Sequence, residues 1–68
     1  MTLEEAKNNI GRGVVYISHT PYLIKDSGII TSVNDKYVFV KYKNDKHSKA
    51  TYPEDLELEY TGKQNGIL

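Results

Sequence analysis

From Gly13 to Tyr60 the chain breaks into five short runs of strand-forming residues, VVYI, SGIITSV, KYVFVKY, SKATY and LELEY, separated by glycine, proline, asparagine and aspartate. Strands this short at this spacing predict a tiny closed or nearly closed β-barrel. With 68 residues, a single domain buries only about 60% of the surface its unfolded chain exposes. The chain has no cysteine and two isolated histidines, so neither a disulfide nor a structural zinc is expected to staple the fold, and the core must hold it alone. The expected organisation is a mainly β fold: a short α-helix in residues 1–12 docked on a five-stranded barrel in 13–60, with a flexible tail over 61–68.

Thr2-Leu3-Glu4-Glu5 has the form of a capping box, with two acids at the positive end of a helix. Leu3, Ala6 and Ile10 then make one apolar stripe, and Gly11 is placed to end the helix in a left-handed conformation. Two turns are not stable alone, so the stripe should dock on the barrel. Residues 18–26 read as the longest irregular connection, broken by Pro21, with the second strand opening at Gly28. Asn34 and Asp35 lie between two β-rich runs and predict a hairpin. In the third strand Val38 and Val40 are expected to face inward with Phe39 partly covered. Ala50 is expected in a crowded interior, Pro53-Glu54-Asp55 as a single helical turn, and Leu56 and Leu58 inward with Glu57 and Glu59 outward.

Nine basic residues balance nine acidic ones, which argues against indiscriminate electrostatic binding of nucleic acid. The balance is uneven along the chain. Residues 36–49 carry Lys36, Lys41, Lys43, Lys46 and Lys49 against Asp45, whereas 54–59 carry Glu54, Asp55, Glu57 and Glu59 with no cation. The N-terminus has no signal-peptide character and no apolar run reaches the roughly 18 residues of a membrane span. The expectation is a soluble, cytoplasmic protein.

The order strand, long loop, strand, tight hairpin, strand, short turn, strand, single helical turn, strand resembles an SH3-like barrel. Gly13-Val14-Val15-Tyr16-Ile17, the run from Gly28 to Tyr42, and Ala50-Thr51-Tyr52-Pro53-Glu54-Asp55-Leu56 are similar to motifs of small, mostly uncharacterised phage and prophage proteins. That resemblance covers about two thirds of the chain; it implies the fold and a phage or prophage origin, and says little of activity. More loosely the strand-loop-strand opening is similar to KOW and Tudor modules, which bind nucleic acid, ribosomal or polymerase surfaces, or modified peptides. Function carried from fold alone is analogy. The chain has no tryptophan and lacks the ALYDY-type entry of peptide-binding SH3 domains, so a reader of proline-rich segments is not expected.

Two surfaces stand out. Tyr22, Leu23 and Ile24 put apolar content into the 18–26 connection; exposed, they anchor a protein partner, and folded back, the reading favoured for so small a core, they cap the barrel end opposite the helix. Lys41, Lys43, Lys46 and Lys49, with His47 and with Tyr42 and Tyr52 near the ends, would form a platform for RNA or single-stranded DNA. The plainer role for those lysines is to protect edge strands from aggregation. Tyr16, Tyr37, Tyr42 and Tyr52 read as strand formers rather than an aromatic cage for a methylated cation. The carboxylates of 54–59 read as a solvated face, and no catalytic, metal or cofactor motif is recognised. The sequence therefore predicts a non-enzymatic interaction module that binds a host or phage protein through residues 18–26, with nucleic-acid binding through the lysines as the alternative.

Overall fold

The structure, a computed structural model, describes residues 1–59; the expected tail over 61–68 lies outside them. The elements in order are α1 (Leu3–Lys7), β1 (Gly13–His19), β2 (Tyr22–Val33), β3 (Val38–Tyr42), β4 (Lys49–Thr51), a 3₁₀ turn (Pro53–Asp55) and β5 (Leu56–Leu58). The strands form one antiparallel sheet in the order β4-β3-β2-β1-β5.

Helix α1 starts as its sequence dictates, with the Glu5 amide donating to Thr2 Oγ1 at 3.0 Å. It is shorter than the apolar stripe suggests. After Lys7 the chain continues in isolated turns, the Asn9 amide donating to Ala6 O and the Arg12 amide to Asn9 O, both at 3.0 Å. Ile10 therefore leaves the helical face and is exposed, while Ala6 is buried and Leu3 packs on the core. Gly11 turns the chain with φ of 92°. Its amide donates to Ile30 O at 2.8 Å and the Ile30 amide to Arg12 O at 3.1 Å, tying the segment to β2. The Met1 amino group donates to Pro53 O at 3.0 Å and Leu56 O at 2.9 Å, which ties the start of the chain to the 3₁₀ turn and β5.

The irregular connection expected over 18–26 is instead a β-hairpin. The β1–β2 ladder continues through Ser18–Leu23 to His19–Tyr22, leaving Thr20 and Pro21, joined by a cis peptide bond, as its turn. Pro21 occupies the one place where no ladder donor is needed, so the flanking β-formers Tyr22, Leu23 and Ile24 stay in strand geometry. Strand β2 consequently begins at Tyr22 rather than Gly28, and it has two partners. Its first part pairs with β1 and its last part, from Gly28 to Val33, pairs with β3. The register skips one residue at Lys25 and one at Thr31, bulges that sharpen the local twist. At Thr31 the hydroxyl donates to Phe39 O at 3.1 Å and lies 2.7 Å from Ser48 Oγ.

The hairpin between β2 and β3 forms where Asn34 predicts it, its Oδ1 accepting from the Lys36 amide at 2.8 Å and the Tyr37 amide at 2.6 Å. The core joins Ala6, Val14, Ile30, Val38, Val40, Tyr42 and Leu56. Val38 and Val40 face inward and Phe39 is half-buried, in agreement with the alternation. Ala50 does not enter the interior; it is exposed and Thr51 is buried in its place. The cause is register: Thr51 lies opposite Val38 and Ala50 opposite Phe39, so the parity of β3 is imposed on β4.

Gly28 lies at the crossing of the two ladders, opposite both Val14 and Tyr42. A Cβ there would collide with Lys41 O and lie 2.8 Å from Tyr42 Cα and Val40 Cγ1. Most of these obstacles are backbone and have nowhere to go. Gly28→Ala is expected to destabilise the fold by about 1–3 kcal/mol, the usual cost of overpacking, measured by urea unfolding; a loss under a few tenths would contradict the close approach.

Candidate functional site

The 18–26 hairpin exposes apolar side chains on both of its faces, Tyr22 and Ile24 on one and Leu23 on the other. Tyr22, Leu23 and Ile24 are 58%, 51% and 63% exposed, so they do not fold back to cap the core as the sequence reading favoured. The reason is that the ladder with β1 fixes them in an extended ribbon. Strand β3 pairs only from Gly28 onward, so among the described residues this part of β2 forms an edge. The ribbon is anchored at its tip to the turn and strand beside it. His19 Nε2 lies 3.2 Å from Glu54 O and 3.6 Å from Asp55 Oδ1, and the Tyr22 hydroxyl donates to Glu57 Oε1 at 3.4 Å. Partial desolvation, together with the Glu57 carboxylate, raises the Tyr22 phenol above its ordinary value.

The four lysines do not form one platform. Lys41 and Lys43 line an open groove of 860 Å³ that also includes Arg12, Ile29 and Glu59. Lys49 lies instead along a second cavity, its Nζ 3.4 Å from Asp45 Oδ2. Lys46 is exposed in the turn between β3 and β4. Acidic and basic segments thus interleave: Glu59 enters the groove of Lys41 and Lys43, and Asp55 shares the cavity of Lys49. Arg12 in that groove carries no sequence signal of its own, because turns after α1 bring it there.

The second cavity has a volume of 340 Å³ and is walled by Tyr16, Tyr42 and Tyr52, with Asp26, Asp45 and Asp55 around it. Tyr16 and Tyr42 meet edge to face with ring centroids 6.2 Å apart. Three of the tyrosines read from sequence as separate strand formers therefore converge, while Tyr37 packs on Tyr52 with centroids 5.3 Å apart. The sequence offers no sign of this grouping because its members come from both sides of the β1–β2 and β3–β4 hairpins. The cavity floor holds a buried polar pair, Tyr42 Oη and Thr51 Oγ1 at 2.8 Å. Among the described residues no cluster of three histidine, cysteine or acidic side chains suits a metal ion, and no helix is long and apolar enough to cross a membrane.

No family model, curated protein or solved structure matches this chain.

The buried pair makes a directional prediction. Thr51→Val strands the Tyr42 hydroxyl and should cost about 1–3 kcal/mol, whereas adding Tyr42→Phe removes the stranded group and should recover part of that loss. Equal additivity of the two single changes in urea unfolding would show that the hydroxyls do not interact. Burial, first, raises the Tyr42 phenol above its ordinary value of 10.0, Thr51 opposing the rise and Tyr16, Asp26 and Asp45 adding to it. Below pH 10 both folded and unfolded states keep the proton; as pH climbs past 10 the unfolded state ionises first, so stability should fall with rising pH. Unfolding midpoints on either side of that pH should diverge less for Tyr42→Phe than for the natural chain.

Proposed function

We propose that this chain is a small SH3-like barrel, of phage or prophage origin, that works in the cytoplasm as a non-enzymatic module binding a host or phage protein through its 18–26 hairpin. The observation that carries this reading is the exposure of Tyr22, Leu23 and Ile24 on consecutive positions of an anchored ribbon. Strand alternation sets Tyr22 and Ile24 on one face of the ribbon and Leu23 on the other, and large apolar side chains exposed on both faces of an edge suit a partner that grips it. The barrel is supported by the bent β2, which lets one strand serve two halves of the sheet.

A second reading, RNA or single-stranded DNA bound by the lysines, draws on the grouping of Lys41 and Lys43 with Arg12. It is weakened by Glu59 in the same groove and by the removal of Lys49 to another.

The test is alanine at Tyr22, Leu23 and Ile24 together, which leaves the buried core untouched. A protein identified by comparative capture and then purified should bind the triple variant on the order of 100-fold more weakly, as expected when several interface anchors are truncated. Unchanged affinity for that purified protein overturns the hairpin reading. Salt-sensitive RNA binding that survives the alanines but is lost in Lys41→Ala with Lys43→Ala would favour the second reading instead.

A further inference from the structure

We propose that the cavity walled by Tyr16, Tyr42 and Tyr52 receives the guanidinium of an arginine, with Asp26, Asp45 and Asp55 as its counter-charges. The source of that arginine, a side chain of the protein docked on the hairpin, rests on the function proposed above.

Geometry, charge and continuity each lead to this occupant. The cavity measures 340 Å³, inside the range of about 300–1,000 Å³ in which proteins hold ligand-sized groups. Among the described residues its lining sets three carboxylates against the ammonium of Lys49, which lies 3.4 Å from Asp45, while His19 Nε2 lies 3.6 Å from Asp55. One oxygen of Asp26 accepts from the Ser27 amide at 2.8 Å, which fixes the carboxylate at the rim.

The tyrosines register the resulting field. Besides burial, Asp26 and Asp45 help raise the Tyr42 phenol. The Tyr52 phenol is raised chiefly by the neighbouring Tyr37 hydroxyl, with Glu54 and Asp55 contributing. Burial alone disfavours charge of either sign, so it is the carboxylate share of these shifts that marks a field favouring a cation.

Aromatic walls then select among cations. A guanidinium is flat, sheds water more readily than an ammonium, stacks on tyrosine faces and presents five N–H donors to carboxylates on different elements. The cavity borders the docking ribbon through Tyr16 and Asp26. Tyr16 lies opposite Asp26, and the pair Ser18–Leu23 follows on the same side of the β1–β2 ribbon, so Leu23 continues the surface that the cavity opens. One partner segment can place an apolar residue on Leu23 and an arginine in the cavity.

The test needs no partner. N-acetyl-L-arginine methylamide is titrated into the full chain while amide resonances are followed by NMR, with N-acetyl-L-citrulline methylamide as the neutral isostere. The arginine probe should shift Tyr16, Tyr42, Thr51 and Tyr52 and the citrulline probe should not. Asp26→Asn and Asp55→Asn, each first shown by thermal melting to fold, should weaken arginine binding about threefold apiece, the scale of exposed ion pairs, and Lys49→Ala should tighten it. No shift at millimolar probe, an equal response to citrulline, or indifference to both asparagine variants overturns the assignment. Because the probe reads the cavity and the hairpin alanines read docking, failure of one result is separable from failure of the other.

Discussion

The close approach at Gly28 is the constraint on which the rest of the molecule depends. Two ladders share this residue, and the backbone of β3 sits where any side chain would have to go. Because the strands can come this near, one long strand pairs with β1 over its first part and with β3 over its last. Around it Val14, Ile30, Val38, Val40 and Leu56 are gathered with Ala6 of the helix into a core without cross-links. In a chain this small, that one shared strand organises most of the surface that folding can bury.

Within that core one polar contact is retained. Tyr42 and Thr51 come from neighbouring strands whose parity is fixed by the pairing of Val38 with Thr51. Their hydrogen bond satisfies two hydroxyls that burial would otherwise penalise. It also stations the Tyr42 ring as a wall of the cavity, so the element that closes the core shapes the surface as well. The same economy appears at the hairpin tip, where His19 and Tyr22 brace the ribbon against the 3₁₀ turn and β5.

What the sequence made legible was local. The Thr2 cap, the Asn34 hairpin, the inward Val38 and Val40 and the Pro53 turn all depend on residues a few positions apart, and all appear. Where a distant partner decides, local pattern misleads. Pro21 reads as a strand breaker until its place in a two-residue turn is seen. Ala50 looks made for an interior by size, yet its parity is set by β3. Ile10 belongs to a helical stripe only while the helix lasts, and beyond Lys7 the chain is held instead by the Gly11 amide donating to Ile30 O and the Arg12 carbonyl accepting from the Ile30 amide. The candidate sites were legible in composition and not in grouping: the lysines are close in sequence, yet Lys41 and Lys43 line one hollow, Lys49 another and Lys46 neither, while Tyr16, Tyr42 and Tyr52 are scattered in sequence and share a cavity.

The skipped residue at Lys25 has a consequence for the manner of recognition. An even edge strand invites another strand to zip alongside it, and small β proteins risk polymerising by that route. Here the bulge disturbs the spacing of main-chain groups and sets a charged side chain beside the oily residues. Main-chain pairing along this edge is thereby made harder, while the apolar side chains on it stay open to contact.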